Sequence, residues 1–103
     1  MKNPSLIFRA LADPTRRQIL AALKADDLKA GEIVDMFTIS APSVSRHLSI
    51  LKAANLVSER REGNSIIYTL HAEQLAMCLS EFLSSVCPAE IVEAQRKKRK
   101  GSR

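Results

Sequence analysis

A chain of 103 residues with 46% apolar and 26% charged side chains has the composition of one ordinary globular domain, which excludes an intrinsically disordered chain. No apolar run approaches the roughly 20 residues of a transmembrane helix, and no secretory leader is recognisable, so we expect a cytoplasmic protein. The two cysteines then argue against a disulfide-stabilised scaffold.

The net charge of +5 is concentrated at the carboxyl end. Six of the 16 basic residues lie between Arg96 and Arg103, which leaves ten basic against 11 acidic side chains elsewhere. The overall basicity is therefore weak evidence that the folded part binds nucleic acid. We expect a domain over residues 1–90 and a flexible basic tail over residues 91–103. Such a tail either binds phosphate non-specifically or is simply solvated.

The first three predicted elements are helices. Apolar spacing predicts a short helix over residues 6–11. Asp13 is a good N-cap and Pro14 suits a first helical position, so a second helix begins there and extends to about Lys24. A third helix is predicted over Ala30–Phe37, where three apolar side chains share one face.

A fourth helix is predicted after a three-residue turn over residues 38–40. The serine that ends this turn is a suitable N-cap. Val44, Leu48 and Leu51 form a narrow apolar stripe along the helix. Asn55 then suits the left-handed conformation that commonly ends a helix.

The apolar period next changes from 3.6 to 2, which predicts strands over residues 57–62 and 65–70 around a Gly63-Asn64 turn. A last helix is predicted over residues 72–86, ended or interrupted by Pro88. This helix has more apolar positions than one stripe needs. We interpret the surplus as a subunit interface shared with the first helix; the alternative is packing on its own core.

Helix, short turn, capped helix and hairpin in this order predict a winged helix-turn-helix, a mainly α fold with a small β-hairpin (α+β) and about five helices. The second helix of such a pair enters the DNA major groove. Opposite its apolar stripe, the helical wheel places Pro42, Arg46 and Ser49, flanked by Ser45, with Ser43 and His47 on the other shoulder. Arg46 can pair bidentately with guanine. An ordinary polar helix surface is the alternative.

Arg60 and Arg61 lie just before the predicted hairpin tip at Gly63-Asn64. A hairpin of this kind lays cationic side chains along phosphates or into the minor groove. Neighbouring strand residues point to opposite sides, so the two arginines cannot both do this in the same way. Glu59 and Glu62 alternate with the two arginines, and cross-strand ion pairing on a solvated hairpin is the alternative.

Five segments of the chain match one known pattern. They are Leu11–Leu20, Ser43–Leu51, Leu56-Val57, Arg60–Gly63 and Ile67–Leu70. Together they closely resemble the ArsR/SmtB family of bacterial winged-helix repressors, most of all its metal-independent autorepressor branch. The resemblance covers roughly residues 5–86. It implies a homodimer, joined through the first and last helices, that represses from inverted-repeat promoter DNA, commonly its own, until an inducer releases it.

The resemblance also implies which residues face double-stranded DNA. They are Ala41, Pro42, Ser45 and Arg46 on the fourth helix, bordered by Ser43 and His47, with Arg61 and Asn64 on the wing. The helical wheel independently selects Pro42, Ser45 and Arg46.

Both common metal sites of that family lack their ligands in this sequence. Ala30–Phe37, where one family site carries cysteines, has none, and no histidine follows His71 to complete the other. Glu73 and Glu81 have no imidazole partners. We therefore expect neither a metal nor another cofactor. The autorepressor branch allows control by a membrane-protein partner, which nothing else in the sequence identifies.

Cys78 and Cys87 are the remaining chemical candidates. Nine positions along one helix place them about 13 Å apart, which forbids a bridge between them. If the helix ends before Cys87, a thiol switch or a bridge across a dimer axis becomes available, and a redox-sensing repressor is then an alternative function. Otherwise Cys78 is a small core residue and Cys87 is inert.

An enzyme and a small-molecule substrate are not expected. The sequence has no nucleophile–base pair, paired carboxylates, phosphate-binding glycine loop or metal set. A winged-helix module that binds proteins and has lost DNA binding is the remaining alternative, because residues 1–95 are nearly neutral.

Overall fold

The computed structural model describes residues 4–101, with side chains as far as Lys98. The elements in chain order are α1 (Pro4–Leu11), α2 (Pro14–Ala25), β1 (Leu28–Lys29), α3 (Ala30–Val34), α4 (Ala41–Ala53), β2 (Val57–Glu62), β3 (Ser65–Leu70), α5 (Ala72–Val86) and α6 (Ala89–Gly101). The mainly α fold with a small β component is confirmed, and the described part has six helices instead of about five. None of these helices is long and apolar enough to cross a membrane.

Local signals fix both ends of the helix-turn-helix. Asp13 caps α2 by accepting a hydrogen bond from the backbone N–H of Arg16 at 3.2 Å. Ser40 caps α4 in the same way, since its hydroxyl accepts from the N–H of Ser43 at 3.2 Å. Asn55 has a left-handed φ of 61° just beyond α4. These three sequence predictions are confirmed.

The third helix is shorter than predicted: α3 ends at Val34, and the prediction of a helix as far as Phe37 is wrong. The N–H groups of Met36 and Phe37 bond to the carbonyls of Ile33 and Val34, three residues back, at 3.1 and 3.2 Å. Such tight turns keep residues i and i+3 on one side. Phe37 therefore still packs against the core, as its position in the apolar stripe indicated.

The sheet has three strands in the order β1-β3-β2, all antiparallel. β2 and β3 have the predicted bounds and turn through Gly63, which has a φ of 61°. The two-residue strand β1 was missed, because two residues are too few to show a period of 2. Its residues pair with Tyr68 and Ile67 in the middle of β3 and tie the hairpin to the helical body.

The core lies between α2, α3, α4 and the start of β2. Its largest fully buried side chains are Ile19, Ile33, Val44, Leu51 and Leu56. Because two of these belong to α4, the core sets the rotation of that helix and therefore which of its faces meets solvent.

The carboxyl end contains an unpredicted helix. α5 has its predicted bounds, and the N–H of Cys87 bonds to the carbonyl of Leu83 at 2.8 Å before the chain turns at Pro88. The chain then forms α6, where the sequence suggested an irregular tail. Flexibility of this segment and the domain boundary after residue 90 stay predictions, and Arg103 lies outside the described residues.

Candidate nucleic-acid interface

The outer face of α4 is solvent-exposed, as the helical wheel predicted. Val44, Leu48 and Leu51 are at most 4% exposed and turn inward. The exposed residues of this helix include Ala41, Pro42, Ser45, Arg46 and Ser49. Arg46 makes no hydrogen bond or ion pair with any described residue, so its guanidinium is available to a ligand. The small side chains beside it let a second surface approach the helix closely.

Ser43 and His47 are half-buried and point toward the protein body, although the sequence placed them at the edge of the DNA-facing surface. The hydroxyl of Ser43 accepts a hydrogen bond from Ser40 at 3.0 Å, within the N-cap. The side chain of His47 is 18% exposed, and its Nδ1 lies 3.0 Å from Nη1 of Arg16 and 3.8 Å from Oδ2 of Asp13. Both residues therefore support α4 from the side that faces the protein body.

Arg16 is the buried cation that contacts His47, and sequence reasoning missed its role. It is 8% exposed. Its Nε donates to the carbonyl of Ala10 at 2.8 Å and its Nη2 to that of Arg9 at 2.9 Å. These are carbonyls of the last turn of α1, which have no partner within their helix. A signal did exist: Arg16 precedes the buried Ile19 by three residues and so lies on the apolar stripe of α2.

Asp13 completes this junction as a carboxylate. Desolvation alone would raise the pKa of Asp13. The backbone N–H groups of Arg16 and Thr15, together with the positive charge of Arg16, outweigh that effect and hold the pKa of Asp13 below its ordinary value. Asp13 thus stays charged at neutral pH, as a cap facing an imidazole and a guanidinium.

The hairpin distinguishes its two arginines. Arg60 donates to Glu62 at 2.8 Å, to Asp27 at 3.2 Å and to Thr69 at 3.1 Å. The hydrogen bonds with Glu62 and Asp27 raise the pKa of Arg60 above its ordinary value. Arg61 makes no hydrogen bond or ion pair within the described part of the chain and is exposed. Arg60 is therefore ion-paired, although with Glu62 of its own strand and with Asp27 outside the hairpin and not across the two strands, while Arg61 is free to meet a ligand.

The hairpin is also tied to α4. Lys52, in the last turn of that helix, donates to the carboxylate of Glu59 in β2. This hydrogen bond raises the pKa of Lys52. Asn64 is exposed at the hairpin tip, beyond these anchors. The geometry presents one exposed helix face and one hairpin with a free cation, which is the arrangement of a winged helix-turn-helix.

Comparisons with known proteins agree with this geometry. The family described as "Bacterial regulatory protein, arsR family" matches residues 13–59. The chain is 44% identical to the transcriptional repressor SdpR of Bacillus subtilis over 80 residues, which is 78% of this chain and 89% of that protein. The chain belongs to the ArsR family. It is also 40% identical over 70 residues to the transcriptional repressor SmtB of Mycobacterium tuberculosis, covering 68% of this chain and 52% of that one.

Solved structures give the same assignment for this ArsR-family protein. HlyU from Vibrio cholerae superimposes with a TM-score of 0.65 at 27% identity, covering 85% of this chain and all of that one. The winged-helix fold is thereby confirmed, and the chain is a DNA-binding transcriptional repressor of the ArsR family. Its individual DNA contacts stay predictions.

The cysteines of this ArsR-family repressor are not brought together within one chain. Cys78 is 2% exposed in the middle of α5, and Cys87 is half-buried at its end. Because α5 stays helical as far as Val86, about 13 Å of helical rise separates the two positions, and a disulfide needs Cα atoms within about 7 Å. A bridge inside one chain is therefore excluded, whereas α5 ends before Cys87, so a thiol switch or a bridge across a dimer axis stays a prediction.

No metal centre is evident among the described residues of this family member, which contain no group of three histidine, cysteine, aspartate or glutamate residues suited to an ion. His71 bonds instead to the hydroxyl of Ser58, with 2.7 Å between Nε2 and Oγ.

Proposed function

We propose that this ArsR-family repressor acts in the cytoplasm as a homodimer on an inverted-repeat operator, that of its own promoter included. A signal still to be identified releases it. The α4 helix enters the major groove and the wing lies along the adjacent backbone. The observation that carries this proposal is the exposed Arg46, unpartnered within residues 4–98, on the face of α4 opposite its buried stripe.

Each contact has a distinct expected role. Arg46 reads a guanine, because a guanidinium can donate two parallel hydrogen bonds to its O6 and N7 atoms. Ala41, Pro42 and Ser45 let the helix approach the base edges. Arg61 and Asn64 contact the backbone from the wing, which adds affinity and little sequence preference.

Exposed apolar side chains on α1 and α5 support the proposed dimer. Phe8 on α1 is 37% exposed, and Phe82 on α5 is 47% exposed. Their rings contact each other edge-to-face, with centroids 5.1 Å apart, which joins the two helices in one apolar surface. A two-fold dimer doubles every DNA contact, and this compensates for the near-neutral charge of residues 1–95.

Arg46→Ala tests base reading. We expect the variant to lose about 1–3 kcal/mol of binding free energy on the operator and to relax its preference at one base pair of each half-site. Fluorescence anisotropy with DNA from upstream of its own gene, and with single-base variants of it, measures both effects. Lys24→Ala is the matched control. It also removes one positive charge, but from the last turn of α2, which lies away from the contact between Arg16 and α4.

An equal loss of affinity on all DNA sequences would contradict base reading by Arg46. Wild-type protein that dimerises but prefers no promoter sequence would contradict the proposed operator. It would favour a winged-helix module for protein binding in its place.

A further inference from the structure

One side chain joins three helices of the DNA-binding body. The guanidinium of Arg16 donates to carbonyls of α1 and lies 3.0 Å from Nδ1 of His47 on α4. Arginine has donors only, so Nδ1 must be the acceptor in this contact. The ring proton of His47 is then on Nε2, and the imidazole in this arrangement is neutral.

We propose that neutral His47, held by Arg16, is a positioning residue that fixes the recognition helix against α1 and α2, and that acidification weakens operator binding by breaking this contact. The inference rests on the proposed DNA binding. It assigns His47 to the support of α4 and not to the DNA-facing surface that the sequence resemblance implies. Since α1 also carries Phe8, the same contact joins the proposed dimer surface to the recognition helix.

Protonation reverses the chemistry at Nδ1. The imidazolium places a hydrogen on the atom that accepted from Arg16, so a donor faces a donor and two cations face each other. The carboxylate of Asp13, 3.8 Å away, is the acceptor that remains. Turning the ring toward Asp13 satisfies the new proton but leaves Arg16 without its partner on α4.

Within residues 4–98, the groups that contact His47 through a hydrogen bond or ion pair are Arg16 in the first turn of α2 and Asp13 at its N-cap. The α1 helix takes part through the backbone carbonyls that accept from Arg16. On α4 itself the neighbouring cation is Arg46, which is exposed. The competition between Asp13, which attracts a protonated His47, and Arg16, which repels it, therefore decides how the imidazole moves when it is protonated.

The sign of the pH response separates this role from the sequence-based prediction. A histidine that contacts DNA phosphate gains positive charge on acidification, so operator affinity rises as the pH falls. A histidine that must stay neutral to hold α4 gives the opposite result, because its protonation disorders the reading surface.

The experiment measures operator affinity by fluorescence anisotropy between about pH 7.5 and pH 5.5, a range that brackets an ordinary histidine pKa, at constant ionic strength. We expect the wild type to lose about tenfold in affinity, within the usual range of coupling between two sites. His47→Asn keeps an acceptor near the position of Nδ1 but does not titrate, so its operator affinity should stay nearly constant across this pH range. His71→Asn is the matched control and should follow the wild type, because His71 contacts Ser58 and not Arg16.

Affinity that rises on acidification in the wild type, or an unchanged pH response in His47→Asn, would overturn the positioning role. Nitrogen NMR of the free wild type at about pH 7.5 gives a test that needs no variant. We expect an unprotonated Nδ1, and a proton on Nδ1 would overturn the proposal. Absence of operator binding by the folded wild type at every pH would instead overturn the proposed function, and this inference with it.

Discussion

Asn55 ends the recognition helix in a conformation that few side chains tolerate. Its φ is 61°, and its N–H bonds to the carbonyl of Lys52 at 3.0 Å. Leu56 follows with an N–H bond to Leu51 at 3.1 Å, so this turn directs the chain from α4 into the wing. Asparagine is the common alternative to glycine at such a position, because its short polar side chain bonds locally.

We therefore expect Asn55→Ala to lower the free energy of unfolding by about 1 kcal/mol, because alanine keeps the steric cost of a β-carbon in the left-handed region but lacks the polar side chain that makes this region tolerable for asparagine. Asn55→Gly should leave stability close to the wild-type value, since glycine has no such cost. Urea denaturation followed by circular dichroism measures both. Equal destabilisation by alanine and glycine would show that the asparagine side chain, and not the backbone conformation, stabilises the turn.

Single residues also show where a sequence stops being informative. The stripe of Val44, Leu48 and Leu51 was sufficient to predict which face of α4 is exposed, and Arg46 lies on that exposed face. The same reasoning could not place His47, because its neighbours Asp13 and Arg16 belong to α2 and are more than 30 positions away. Such contacts depend on tertiary packing, which periodicity within one helix does not encode.

At the scale of elements, the wing separates an anchoring cation from a free one. The guanidinium of Arg60 is ion-paired with Glu62 through Nε and with Asp27 through Nη1, whereas Arg61 contacts no described residue through a hydrogen bond or ion pair. We expect Arg61→Ala to weaken binding to all DNA sequences alike and to reduce the dependence of log affinity on log salt by about one per protomer. Binding isotherms on operator and unrelated DNA at several salt concentrations measure this.

Arg60→Ala is the matched comparison, since it removes the same side chain from the adjacent position. We expect a smaller change in the salt dependence, because that guanidinium is already paired within the hairpin and with Asp27. An equal reduction of the salt dependence by the two variants would contradict the distinction between a paired Arg60 and a DNA-contacting Arg61.

The elements predicted with the right bounds are those with local signals. Asp13 caps α2 and Ser40 caps α4, while the alternating residues and Gly63 define the hairpin. The strand β1 has only two residues and exists because β3 lies beside it. The helix α6 escaped prediction because its dense positive charge was interpreted as a sign of solvation, although lysine and arginine are good helix formers.

At the scale of the whole molecule, the apolar face of α5 is longer than the core that it covers. Cys78 is 2% exposed and Leu75 packs against the core. Phe82 continues this face yet is 47% exposed, and Val86 further along is 61% exposed. The described residues do not bury this half of the helix, which makes it the natural surface for a second copy on a two-fold axis.

Val86→Glu tests that surface. A carboxylate buried between two apolar helices has no partner there, so we expect the variant to sediment as an 11.4 kDa monomer where the wild type sediments at twice that mass. Ser84→Glu is the matched control: it adds the same charge to the same helix about 200° away and should stay dimeric. Operator affinity should fall only for Val86→Glu, because a monomer binds each half-site alone. A Val86→Glu protein that remains dimeric would move the interface away from this part of α5.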